Sequence, residues 1–260
     1  MGLVPQVTEG SPPQPDLRLR LQRGESVRAL FVGTSDATLC ELAALLGWDM
    51  LIVDAEHGAV IPRDMENIAR ACERRGATAA ARVPLGAPAE VGRYLDAGAL
   101  AVMIPMVESA QQAERAVELV KYPPRGRRGV AAPRCADFGL LSEASEEFAR
   151  ANRDTVVIVQ IESIRGLEQA EAIAAVDGID VVFAGPADLS LALGVPLRWE
   201  SPAFVSAIER VAAAARSACK VFGAYAGDRE RMSWYEMKGA RLIAAALEDL
   251  IVLGSQRLRE

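Results

Sequence analysis

The sequence predicts an α/β chain folded as a (β/α)8 barrel. Eight short apolar runs alternate with amphipathic stretches over about 230 residues, close to the ~250 residues usual for such a barrel. Most of the runs are continuous rather than alternating, as in strands covered on both faces. No GxGxxG follows the first run, which weighs against the other arrangement considered, an open doubly wound sheet.

The strands are expected, in order, at 27–33 (VRALFVG), 49–56 (DMLIVDAE), 78–84 (TAAARVP), 100–107 (LAVMIPMV), 155–163 (TVVIVQIES), 181–187 (VVFAGPA), 221–227 (VFGAYAG) and 241–247 (RLIAAAL). Helical patterns fill the intervals. SDATLCELAALLG opens on a Ser/Asp cap signal and closes at Gly47. PRDMENIARACERRG starts with Pro62 and stops at Gly76. Similar stretches follow, and EDLIVLGSQRLRE predicts a last helix. One long irregular segment, 122–154, comes after the fourth strand and is expected to end in a short extra helix. A connection of that length is usually functional or disordered.

The first 24 residues are Pro-rich and predict a flexible tail, leaving 25–260 as a single barrel domain. That tail has neither the basic start nor the apolar stretch of a signal peptide. The net charge of −6 argues against nucleic acid as a partner. No apolar run reaches the ~20 residues a bilayer span needs. Cys40, Cys72, Cys135 and Cys219 form no CxxC pair, and with one histidine they assemble no zinc set. They read as reduced thiols in a cytoplasmic protein.

Polar residues that close apolar strands need a reason, because strand C-termini of a parallel barrel converge on one face. The second strand ends in Asp54, Glu56 and the only histidine, His57. The third ends in Arg82, the fifth in Gln160 and Glu162, and the sixth runs into Asp188. Gln160 and Glu162 are two apart and share a face. Glu108, Asp249 and Asp188 can also be read as helix caps, and a lone histidine as a hydrogen-bonded core residue. The DAEHG context puts His57 beyond the apolar run. Glu162 and Asp188, on adjacent strands, could share a hard divalent cation with water or substrate completing its shell. Arg82 would offset an oxyanion or bind a carboxylate. His57 is the residue type suited to general base work near neutral pH. Lys121, Lys220 and Lys238 lie away from strand ends, which disfavours a Schiff base. Arg125, Arg127 and Arg128 could attract an anionic substrate tail or simply anchor their loop.

The segments LIVDAEHGAV, ARVP, VMIPMVESAQQAERAVELVKYPPRGRRGV, VQIES and FAGPADLSLALG closely resemble the HpcH/HpaI aldolase family. The resemblance spans about residues 25–255. It implies a barrel of the phosphoenolpyruvate/pyruvate type and metal-dependent aldol cleavage of 4-hydroxy-2-oxo acids to pyruvate and an aldehyde. It implies Mg²⁺ or Mn²⁺, with Co²⁺ a further option, on Glu162 and Asp188. His57 would assist proton transfer, Arg82 would contact the bound 2-oxo acid (pyruvate or oxaloacetate), and Gln160 would lie beside the metal. The turn Gly185, Pro186, Ala187 and Asp188 would face the substrate carboxylate. Asp96 corresponds to a residue that pairs with the active-site histidine; as the end of a helix on the far side of the barrel, it would do so most easily across a subunit boundary. The resemblance also implies a homo-hexamer, a trimer of dimers exchanging their last helix. Phe31, Tyr225 and Glu248 depart from the family pattern at the pocket mouth. A citrate-synthase-like enzyme of the siderophore type and an acyl-CoA lyase are the alternative chemistries, the lyase disfavoured by His57. A non-catalytic ligand-binding relative is the third reading, disfavoured by the intact set of Glu162, Asp188, Arg82 and His57.

Overall fold

A computed structural model of the chain describes residues 17–87, 89–140 and 143–259. Eight parallel strands close into a barrel in chain order: β1 (Val27–Val32), β2 (Met50–Asp54), β3 (Thr78–Arg82), β4 (Ala101–Ile104), β5 (Val156–Ile161), β6 (Val181–Ala184), β7 (Val221–Tyr225) and β8 (Leu242–Ala246). The helices, in chain order, are α1 (Leu17–Gln22), α2 (Ala37–Leu45), α3 (Pro62–Arg75), α4 (Glu90–Asp96), α5 (Ala110–Val120), α6 (Ala144–Asp154), α7 (Ile164–Glu168), α8 (Ala170–Ala174), α9 (Pro186–Ala192), α10 (Pro202–Ser217), α11 (Arg229–Met237) and α12 (Leu247–Arg259). None of them is long and apolar enough to cross a membrane.

The continuous apolar runs serve two cores at once. Alternate residues, among them Leu30, Leu51, Val159, Val182 and Ile243, face the helices. The others fill the barrel: Ala29, Met50, Ile52, Ala80, Met103, Ile158, Phe183 and Ala244 are buried together inside it. This two-residue alternation decides where the site falls. Continued past the apolar layer, the inward register passes from Ile52 to Asp54, from Ala80 to Arg82, and from Ile158 to Gln160 and Glu162. Every one of those residues borders the cavity at the strand C-termini.

Local signals set the element ends. Asp36 caps α2 by accepting from the N–H groups of Thr38 and Leu39. α3 begins at Pro62 and ends on Gly76 in the left-handed region at φ 69°. The stretch RGLEQAEAIAAVDG, residues 165–178, which has the pattern of one helix, breaks at Gln169: α7 ends just before it and α8 begins just after. The long segment after β4 carries a 3₁₀ turn at Arg134–Gly139 and then α6, the extra helix that was expected.

The expected tail requires correction. Residues 17–24 are not free. Leu17 and Leu21, one turn apart on α1, insert into the N-terminal mouth of the barrel and join its interior core. Arg18 Nε donates to Asp180 Oδ1 at 2.8 Å, and Arg20 Nη2 lies 2.8 Å from Asp49 Oδ1. Residues 1–16 of that tail lie outside the described residues.

Candidate active site

A cavity of about 520 Å³ opens at the C-terminal ends of the strands, within the usual range for small-molecule sites. Four carboxylates, Asp54, Glu162, Asp188 and Glu248, border it against one guanidinium, that of Arg82. His57 stands at its mouth with 66 % of its side chain exposed, so it is not a core histidine.

β2 and β3 pair Asp54 with Arg82 in register. The guanidinium grips that carboxylate with two hydrogen bonds, Nε to Oδ1 at 3.0 Å and Nη2 to Oδ2 at 2.6 Å. Burial works to raise the Asp54 carboxyl, but Arg82 and the backbone N–H groups of His57 and Glu56 together hold it below the ordinary carboxylate range. Those two N–H bonds, 3.2 and 3.1 Å to Asp54 Oδ1, also fix the turn that presents His57. Glu56 does not border the cavity. Its Oε2 sits 3.5 Å from Arg82 Nε and 3.9 Å from His57 Nε2. Burial lifts its carboxyl, and Arg82 and His57 recover part of that rise. The Arg82 guanidinium also lies 4.8 Å from the centre of the Phe31 ring.

Across the cavity, Glu162 is 5 % exposed. Its Oε2 accepts from the N–H of Met106 at 3.0 Å, and its Oε1 from Gln160 Nε2 at 2.9 Å. Burial first, then the charges of Asp188 and Glu56, push the Glu162 carboxyl up to about 7, against the pull of the Met106 N–H and Arg82. Met106 offers that N–H from a left-handed backbone, φ 50°, unusual for a side-chain-bearing residue. Asp188 sits exposed in the first turn of α9. The helix cap there is Gly185, with no capping side chain, so the capping reading of Asp188 does not hold. Glu108 does not cap either: Ser109 caps α5, and Glu108 Oε1 accepts from Ser163 Oγ. Asp249 does cap, accepting from the N–H of Ala246 and from the Tyr225 hydroxyl.

The donor set fits a hard divalent cation. Glu162 and Asp188 are two oxygen donors, the Asp188 charge close enough to help push the Glu162 carboxyl up, and neither forms an ion pair among the described residues. Gln160 Oε1, buried beside them, has no hydrogen-bond partner. A Cβ on Gly185 would fall 2.1 Å from Glu162 Oε1, so the missing side chain is what lets that carboxylate lie there. Among the described residues no group of three or more His, Cys, Asp or Glu could hold a metal ion. Water and substrate oxygens would therefore complete the shell.

Two expectations fare differently. Asp96 does not join this chain's cavity. It ends α4 on the opposite side of the barrel, where Oδ1 lies 2.8 Å from Nη2 of Arg128. The three arginines of the long loop anchor it rather than reach the cavity: Arg125 pairs with Asp177, Arg127 with Glu118, and Arg128 with Asp96. The Met106 N–H and the close contact between Gly33 and Gly58 escaped the sequence reading. Backbone donors carry no residue signature, and a glycine at a strand end is a weak one.

A closed parallel barrel whose charged groups gather inside the C-terminal strand ends defines a barrel enzyme. Residues 28–252 match the family described as HpcH/HpaI aldolase/citrate lyase, and the chain belongs to that family. It is 34 % identical over 238 residues to the hydroxypyruvate/pyruvate aldolase of Pseudomonas aeruginosa, covering 92 % of this chain and 88 % of that protein. It is 33 % identical to the 2-keto-3-deoxy-L-rhamnonate aldolase of Salmonella gallinarum, covering 89 % and 86 %. The crystal structure of a family member from Burkholderia cenocepacia J2315 superposes with a TM-score of 0.86 at 35 % identity, covering 94 % and 96 %. The chain is a carbon–carbon lyase.

Proposed function

We propose that the chain is a metal-dependent pyruvate aldolase, cleaving 4-hydroxy-2-oxo acids to pyruvate and an aldehyde and running the condensation in reverse. One observation carries the reading: two oxygen donors without ion-pair partners among the described residues, Glu162 and Asp188, share a cavity with a fixed guanidinium and an exposed imidazole at its mouth. The aldolase names of both relatives agree with it.

A divalent cation on Glu162 and Asp188 (Mg²⁺, Mn²⁺ or Co²⁺) would supply positive charge to the keto oxygen as the neighbouring carbon gains carbanion character. Arg82, held rigid by Asp54, adds charge near that oxygen without reorganising. Pro186 has no N–H, and the N–H groups of Ala187 and Asp188 open α9, where a helix leaves its donors without intrahelical partners. They would receive the 2-oxo acid's carboxylate. His57 takes the proton of the 4-hydroxyl in cleavage and returns it to the aldehyde oxygen in condensation. The C3–C4 bond breaks toward C3, which gains one proton to become the pyruvate methyl. Among the described residues no lysine borders the cavity, in keeping with a route that forms no Schiff base.

The helix-exchanged hexamer finds support in α12, which has no buried residues and leaves Ile251, Val252 and Leu253 exposed.

Incubation with Mn²⁺, pyruvate and short aldehydes should yield 4-hydroxy-2-oxo acids, with deuterium from solvent entering the pyruvate methyl group and EDTA stopping both. Absence of product and of exchange with Mg²⁺, Mn²⁺ and Co²⁺ would overturn the proposal. Citrate from oxaloacetate and acetyl-CoA would redirect it to a condensing enzyme.

A further inference from the structure

The aldolase reading leaves one wall of the cavity unused. In the ring of eight, β1 and β2 stand four places from β5 and β6. Gly33 after β1 and Gly58 after β2 therefore lie across from Glu162 and Asp188. The two glycines pack backbone to backbone: a Cβ on Gly58 would come within 2.9 Å of Gly33 Cα. They form a bare shelf beside His57.

Glu248, just past β8, stands at the edge of that shelf. Its Oε1 is 3.9 Å from where a Cβ on Gly33 would sit. Its carboxylate makes no hydrogen bond or ion pair among the described residues. Its side chain is exposed, but the turn that carries it is held. Asp249 Oδ2 accepts from the N–H of Ala246 at 2.8 Å and from the Tyr225 hydroxyl at 2.7 Å, tying the first turn of α12 to β7. Among the described residues the only arginine or lysine bordering the cavity is Arg82, whose guanidinium lies over the Phe31 ring of β1. Arg82 lies on β3, bound twice to Asp54.

A bond formed at the pyruvate methyl leaves the aldehyde oxygen near His57 and sends the rest of the aldehyde over the glycine shelf. We propose that Glu248 selects that aldehyde: it accepts hydrogen bonds from the hydroxyl groups of an uncharged hydroxyaldehyde and repels aldehydes that end in a carboxylate. This rests on the aldolase reading and adds the acceptor's chemical class. A site that offers an acceptor to a hydroxyl discriminates strongly against a group that cannot donate. An unpaired like charge adds a repulsive element to the same choice.

The test measures kcat/KM for condensation of pyruvate, with Mn²⁺, onto glycolaldehyde and onto succinic semialdehyde, in the native enzyme, Glu248→Gln and Glu248→Lys. The native enzyme should favour glycolaldehyde by about tenfold or more. The ratio should shrink about tenfold in Glu248→Gln and cross over in Glu248→Lys. A native preference for succinic semialdehyde, or a ratio that neither variant moves, would overturn the role of Glu248. Deuterium exchange into pyruvate, measured on the native enzyme without aldehyde, separates the two failures. No exchange removes the aldolase reading, whereas exchange with an unmoved ratio removes only the assignment of Glu248.

Discussion

At the N-terminal end of the barrel, Arg18 meets Asp180, Arg20 meets Asp49, and each carboxylate also accepts a strand N–H, from Val157 and Arg28 respectively. At the C-terminal end, four carboxylates border a cavity with one guanidinium, which is already bound to Asp54. One end pairs its carboxylates with arginines and seals itself with Leu17 and Leu21. The other keeps Glu162 buried and Asp188 beside it with no countercharge of their own. Charge left unmatched inside a fold costs stability, so carboxylates gathered that way around a cavity mark where binding, rather than folding, accounts for the residues.

The largest effect expected from this contrast is at Glu162. Glu162→Gln should lower turnover on the order of a thousandfold, since a bound cation contributes several kcal/mol at the transition state. Its melting temperature should match or exceed the native value, because a costly buried charge is gone. A fully active variant would refute the metal assignment, and a severely destabilised one would refute the contrast. His57→Ala comes next. It should slow turnover about 10²–10⁴-fold, the usual contribution of a positioned base, while pyruvate binding changes far less. Equal losses in both, seen by steady-state kinetics and calorimetry, would count against proton transfer.

The opposite end should respond in the opposite currency. Leu21→Ala, which opens a gap under the barrel, should cost about 2–4 kcal/mol in chemical denaturation. The folded variant should keep kcat/KM within about threefold of native. A large catalytic loss there would show that the two ends are coupled. The smallest effect concerns Lys121, wholly buried at the same end, where its ammonium donates to the carbonyls of Asn152 and Thr155. Burial pulls it down to about 8 from its ordinary 10.5, against the nearby Asp180. The fold therefore sheds this proton at lower pH than the unfolded chain does. Below pH 8 the fold carries the full penalty of the charge, and the penalty disappears as pH rises from about 8 to 10.5. Relative to Lys121→Met, the native chain should gain on the order of 1–3 kcal/mol between pH 7 and 10.5. A difference that stays flat with pH would show that the ammonium is not penalised.

Much of this was readable from the chain. Strands covered on both faces advertise themselves as unbroken apolar runs, so all eight could be placed. The two-residue register then carried Gln160 and Glu162 onto one inward face. The capping reading of Asp188 needed structure to dismiss, because Asp after Gly-Pro-Ala looks the same whether it caps or not. Composition misled at the N-terminus: prolines before residue 16 hid the Leu17–Leu21 spacing of a docked helix. The Asp54–Arg82 bond depends on inter-strand register, and Met106 on a backbone angle. Neither property is local to a few letters of sequence.

Gly185 leaves so little room beside Glu162 that one methyl group there would displace the carboxylate while altering no charge. An alanine at that point is thus an isoelectric silencer. It offers a way to load the cavity with intact substrate for crystallography, sparing the acids that a conventional knockout would erase.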